Sequence, residues 1–107
     1  MVTHSSPIFD AIADPTRRAI LDLLRGGERA AGDVAARFPV SRPAISKHLR
    51  VLRQAGLVTE RRESRLRLYT IEAAPLREVD GWLVQYRTFW AARLHDLKRV
   101  AEALPPD

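Results

Sequence analysis

The sequence predicts a small, mostly α domain of α+β class, and three observations predict it. Apolar residues recur at threes and fours in five segments bounded by Pro, Gly or short capping side chains. Between Leu57 and Ile71 the spacing becomes extended, which marks a β-hairpin. The 107 residues, 46% of them apolar, suit one globular domain, residues 1–107, rather than a disordered chain.

The first helix is expected over residues 7–13, with Ile8, Phe9 and Ile12 on one side. Asp14 is a good N-cap for a second helix over 15–25, and Pro15 fits its first position because the missing N–H needed no partner there. Ile20, Leu23 and Leu24 form the buried face, and Gly26-Gly27 ends it. Residues 28–30 read as a connector, at most a one-residue bridge to a strand. A short third helix over 31–38 carries Val34, Ala35 and Phe38. Pro39-Val40 makes the turn, Ser41 caps a fourth helix running to Ala55, and Gly56 is its natural terminator. Residues 58–62 and 66–71 are short strands around a tight turn at 63–65. Residues 75–104 make the longest helix, stopped by Pro105-Pro106. The expected layout is about five helices plus a two-stranded hairpin.

Composition excludes several functions. Without cysteine there is no disulfide, thiolate metal site, cysteine nucleophile or thiol sensor. No apolar run is long enough to span a bilayer, and the first seven residues lack the pattern of a secretory signal. No Ser-His-Asp set, Gly-rich phosphate loop or paired carboxylates suggest an enzyme. No cofactor is expected, and a cytoplasmic, nucleoid-associated location fits.

Charge is more informative. Residues 41–70 hold eight bases and two acids, a net of +6, whereas the other 77 residues net −1. A localised basic patch is the footprint of a polyanion binder. Sixteen of the 18 bases are Arg, although a GC-rich genome would give the same bias.

On a helical wheel of residues 41–55, Ile45, Leu49 and Leu52 gather on one side, flanked by Ala44, His48 and Val51. Arg42, Pro43, Ser46, Lys47, Arg50, Arg53 and Gln54 fill the other, with no acid among them. Helix, short turn and helix over 31–55 form a helix-turn-helix whose second helix can enter a major groove. The basic hairpin over 57–71 is then a wing, making the whole a winged helix-turn-helix that binds double-stranded DNA. Arg42, Pro43, Ser46 and Lys47, near the helix N-terminus, are candidates for base edges. Arg50 and Arg53 are candidates for phosphates, and Arg61, Arg62, Arg65 and Arg67 for flanking phosphates or the adjacent minor groove.

The runs SRPAISKHLRVLRQAGLV at 41–58 and FDAIADPTRRAIL at 9–21 resemble the recognition helix and opening helices of ArsR-type winged-helix repressors, in their cysteine-free, SdpR-like branch. The resemblance implies a homodimeric bacterial repressor on an inverted-repeat operator. Many relatives sense metals through paired cysteines in the third helix. The matching segment, residues 32–36, has none. The last helix offers Asp80, His95, Asp96 and Glu102, with a single His, so no metal site is expected. His48 reads as a packed or phosphate-contacting residue, and nothing is read from His4. Arg17 and Arg18 oppose the dipole at the start of their own helix, so they should pair with acids or touch a phosphate, and pairing is favoured.

The final helix, over 75–104, would be about 45 Å long, more than a domain about 30 Å across can cover. Leu76, Val79, Leu83, Tyr86, Trp90, Leu94, Leu97, Ala101 and Leu104 form one stripe; Trp82, Phe89 and Val100 form a second. Two apolar faces suggest packing on its own domain and on a second copy. Trp82, Tyr86, Phe89, Trp90, Leu94 and Leu97 are the candidate homodimer contacts, joined by Ile8 and Phe9. An intramolecular core helix, or a lining for a hydrophobic effector, would also explain it. An unidentified small-molecule effector stays open; it could change the angle between two winged domains only by binding the two states differently. Two other functions also stay open, a winged-helix protein–protein module and a nonspecific architectural DNA binder.

Overall fold

Three helices begin in the same way: a short polar side chain caps the first turn and a proline sits within it. The computed structural model describes residues 6–105. Ser6 Oγ accepts from the Ile8 N–H at the start of α1 (Pro7–Ile12), and an Asp14 carboxylate oxygen accepts from the Arg17 N–H at the start of α2 (Pro15–Leu24). Ser41 Oγ accepts from the Ala44 N–H of α4 (Arg42–Gln54) at 3.2 Å. Each cap satisfies a donor that the helix itself leaves orphaned.

Between α2 and α4 lie β1 (Arg29–Ala30) and α3 (Ala31–Ala36). After α4 come β2 (Val58–Glu63), β3 (Leu66–Ile71), a 3-10 turn (Ala74–Leu76) and α5 (Arg77–Ala103). The sheet is antiparallel and three-stranded in the order β1-β3-β2: β2 and β3 form the expected two-stranded hairpin, and β1 adds a third strand at the segment read as a connector or one-residue bridge. Arg29 pairs with Tyr69 and Ala30 with Leu68. The tight turn also differs. Glu63 belongs to β2 and pairs with Leu66, leaving Ser64-Arg65 as a two-residue loop. Ser64 takes φ 59°, the left-handed conformation that tight hairpin turns require. The last helix starts two residues later than expected because its first turn winds as 3-10. The third stops before Phe38. His4 and Pro106 lie outside the described residues.

Residues up to Arg77 form one compact unit, and those from Glu78 on form another. The core of the first unit joins Ile8 and Ala11 to Ile20, Leu21 and Leu24 of α2, Val34 of α3, and Ile45, Leu49 and Leu52 of α4. Leu57, Val58 and Tyr69 complete it. Burying a side chain of the Leu or Ile kind stabilises by about 1.5–3 kcal/mol, so this shared core holds α4 in place. Ile8, expected at a dimer interface, is a core residue at 7% exposure, while its neighbour Phe9 is half-buried.

The second unit is α5 itself. None of its residues is buried, and Trp82, Tyr86, Phe89, Trp90, Leu94 and Leu97 are all exposed, Phe89 by 70%. The Trp82 and Tyr86 rings meet edge-on at 5.1 Å between centroids, and Tyr86 lies 6.5 Å from Phe89. Arg87 pairs with Asp80 along the helix.

Candidate nucleic-acid interface

The path from α4 into the wing is fixed by one glycine. Gly56 takes φ 79° just past the helix, its N–H donating to Arg53 O and the Leu57 N–H to Leu52 O, each at 2.9 Å. This is the Schellman arrangement, and it needs a residue without a Cβ. It turns the chain so that Leu57 and Val58 enter the core and β2 starts beside the last turn of α4.

The wheel reading of α4 holds in detail. Ile45, Leu49 and Leu52 are buried and Ala44, His48 and Val51 are intermediate. Arg42, Pro43, Ser46, Lys47, Arg50, Arg53 and Gln54 are exposed. On the wing, Arg61, Arg62, Arg65 and Arg67 are exposed as well.

The structure brings most of these together in two clefts that share Ser46 and Arg67. One, about 340 Å³, lies between α4 and the sheet and is lined by Ser46, Arg50, Arg53, Glu60, Arg62, Arg67 and Tyr69. The other, about 410 Å³, gathers Arg42, Ser46, Arg65 and Arg67 against the start of α3. Its one acid, Asp33, is engaged by Arg29 at 2.7 Å and Arg37 at 3.8 Å. The Arg29 guanidinium holds the Asp33 carboxyl below its ordinary range.

Within the first cleft, Arg62 on β2 stands directly opposite Arg67 on β3. Like charges facing each other across a strand pair destabilise it. Neither guanidinium has an ion-pair partner among the described residues, and the same is true of Arg42, Lys47, Arg50 and Arg65.

The expectation of a face without acids needs correction at two positions. Arg53 Nη1 lies 3.1 Å from Glu60 Oε2. Arg61 grips Glu28 with two hydrogen bonds of 2.8 Å and lies 3.1 Å from Glu63. Thr70 Oγ1 donates to the same Glu28 carboxylate. Arg61 holds the Glu28 carboxyl well below its ordinary range, and the pairing pushes the guanidinium's own value up. A count of charges along the helix could not find these acids, because they come from other elements. Glu60, Glu28 and Tyr69 are thus members of the site that sequence reasoning missed. Their signal was strand register: the two-residue loop sets Glu60 opposite Tyr69.

Among the described residues Arg17 and Arg18 have no acid as an ion-pair partner. Arg17 Nε donates to Ala11 O at 2.7 Å and its Nη2 to Asp10 O at 3.0 Å; Arg18 Nη1 donates to Ile12 O at 2.8 Å. They add donors to carbonyls at the C-terminus of α1, where positive charge is favourable. His48 is packed, its side chain 19% exposed and its Nδ1 3.2 Å from Arg17 Nη1. Among the described residues no group of three or more His, Cys, Asp or Glu could hold a metal ion, and no helix is long and apolar enough to cross a membrane.

Comparison with known proteins bears on this geometry. A helix-turn-helix domain family matches residues 12–61. The transcriptional repressor SdpR of Bacillus subtilis is 42% identical over 79 residues, covering 74% of this chain and 88% of that protein. An HTH-type transcriptional regulator of Mycobacterium tuberculosis is 45% identical over 78 residues, 71% of this chain and 73% of its own. Among solved structures, one described as an ArsR family transcriptional regulator superposes with a TM-score of 0.70 at 34% identity, covering 79% of this chain and 93% of its own.

Proposed function

Since the chain belongs to the ArsR family of helix-turn-helix transcriptional regulators, we propose that it is a homodimeric repressor of an inverted-repeat operator in double-stranded DNA. The recognition helix, α4, enters the major groove. Arg42, Pro43, Ser46 and Lys47 near its N-terminus meet base edges, and Arg50, Arg62, Arg65 and Arg67 meet phosphates. Arg53 and Arg61, already paired with carboxylates, hold the surface in shape. Such a protein works in the cytoplasm, at the nucleoid.

One observation carries this reading. Arg62 and Arg67 face each other across the hairpin with Arg50 in the same cleft, and no acid is paired with any of the three among the described residues. The cleft's one carboxylate, Glu60, is paired with Arg53 instead, whereas a phosphate backbone would neutralise these three directly.

The exposed aromatic and aliphatic stripe of α5 supports the homodimer. Large exposed apolar patches mark interaction sites, and a two-fold pair of recognition helices would meet half-sites about 34 Å apart. Trp82, Tyr86, Phe89, Trp90, Leu94 and Leu97 are its anchors.

Duplex binding titrated against salt tests the proposal. Log affinity should fall by about 0.9 per log unit of salt for each phosphate neutralised, so the four bases assigned to phosphates give a slope of about 3.6 per protomer. Absence of duplex binding at low salt would instead favour a protein–protein module. Equal affinity for every sequence would favour an architectural binder.

A further inference from the structure

The cleft between the recognition helix and the wing contains a single carboxylate, Glu60, among its arginines. Its side chain is 18% exposed. One oxygen, Oε2, accepts from Tyr69 Oη at 2.7 Å and from Arg53 Nη1 at 3.1 Å. Arg53 lies in the last turn of α4, Glu60 on β2, and Tyr69 on β3 directly opposite Glu60. A single atom therefore ties three elements together. Backbone hydrogen bonds at the Gly56 turn set where the chain leaves α4; between side chains, Leu52, Leu57 and Val58 of the shared core are apolar, and apolar contact is not directional. Hydrogen bonds are directional, and the two on Glu60 Oε2 fix an angle.

Electrostatics alone argues against a carboxylate at this place, because it repels phosphates and occupies an arginine. We propose that Glu60 is a positioning residue: it touches no DNA, and by holding Arg53 and Tyr69 on one oxygen it sets the angle at which recognition helix and wing are presented to the duplex. This rests on the DNA-binding reading above.

The two physical effects predict opposite signs. Glu60→Ala adds a net positive charge and frees Arg53, so a purely electrostatic role gives tighter binding to any duplex. A positioning role gives weaker binding to the correct sequence alone. The test uses the full chain and two probes: a duplex selected by the wild-type protein from random-sequence oligonucleotides, and a scrambled duplex of the same composition. Circular dichroism melts confirm that each variant is folded. Glu60→Ala should lose about tenfold on the selected duplex while scrambled binding holds or rises. Glu60→Gln keeps an acceptor oxygen and should recover to within about threefold of wild type. Tyr69→Phe, which changes no charge and keeps the ring, should lose about threefold on the selected duplex alone. Tighter binding of Glu60→Ala to both duplexes overturns the proposal. So does an equal loss on both, the mark of a merely structural role. If Glu60→Ala does not fold, an unchanged Tyr69→Phe overturns it. Failure of the wild type to bind either duplex at low salt is a different result, and it overturns the DNA-binding reading itself.

Discussion

Arg17 Nη1 donates to His48 Nδ1 at 3.2 Å, joining the start of α2 to the middle of the recognition helix across 31 positions of sequence. An arginine can only donate, so Nδ1 is the acceptor in this contact. The same guanidinium also satisfies Ala11 O and Asp10 O at the end of α1. One side chain thus fixes three helices. Arg17→Gln should lower stability by about 1.5–3 kcal/mol, the range for hydrogen bonds to a charged group, read as a lower midpoint of urea unfolding. An unchanged midpoint would mean that water replaces these bonds at no cost.

The opposed arginines of the wing imply a conflict between stability and binding. Arg67→Glu places a carboxylate directly across from Arg62. The hairpin should gain about 0.2–1 kcal/mol, visible as a raised melting temperature, while duplex affinity falls. A variant that is both less stable and unimpaired in binding would contradict the reading of this cleft.

Two positions on α4 should separate affinity from specificity. Arg50→Ala should weaken binding to all duplexes alike and reduce the salt slope by about 0.9. Ser46→Ala, at the junction of the two clefts, should change preference at one operator position. Equal affinities for wild type and both variants would remove this face from the reading role.

Acid should unfold the first unit through identifiable carboxylates. The Arg17 N–H at the helix start holds Asp14 below its ordinary range, Arg61 does so for Glu28, and Arg29 for Asp33. A carboxyl whose value is depressed on folding stabilises above its unfolded value, near 4, and loses that contribution as pH falls through the lower folded value. Unfolding midpoints should therefore hold near neutrality and drop below about pH 4. Glu28→Gln should flatten that drop; an identical pH profile for the variant would exclude the Arg61 pair as a source.

At the proposed dimer surface, Trp90→Ala should lower the oligomeric state seen in sedimentation and abolish operator binding with it. An unchanged dimer would shift the interface away from the α5 stripe.

The recognition helix was legible in the sequence because everything that defines it is local. Ser41 and Gly56 bound it, and the burial of Ile45, Leu49 and Leu52 follows from spacing alone. Three other features were not, for different physical reasons. β1 is two residues long, too short for any periodicity, and pairs with residues about forty positions later. The hairpin register depends on the loop: a three-residue turn would have paired Arg62 with Leu66, whereas the two-residue loop at Ser64 pairs it with Arg67. The partners of Arg17, Arg18 and Arg61 lie on other elements, and Glu28 and Arg61 are 33 positions apart. Helix-dipole reasoning placed Arg17 and Arg18 against their own helix and missed that they close the one before it.

Selection of genomic fragments by the purified full chain is the most direct test that the cationic face of α4 and the wing reads DNA. The expected result is enrichment of an inverted repeat with half-site centres about 34 Å, roughly one helical turn, apart, lost in a variant lacking Arg50, Arg62 and Arg67. Recovery of no fragment above background at low salt, or the same fragments from wild type and that variant, would contradict it.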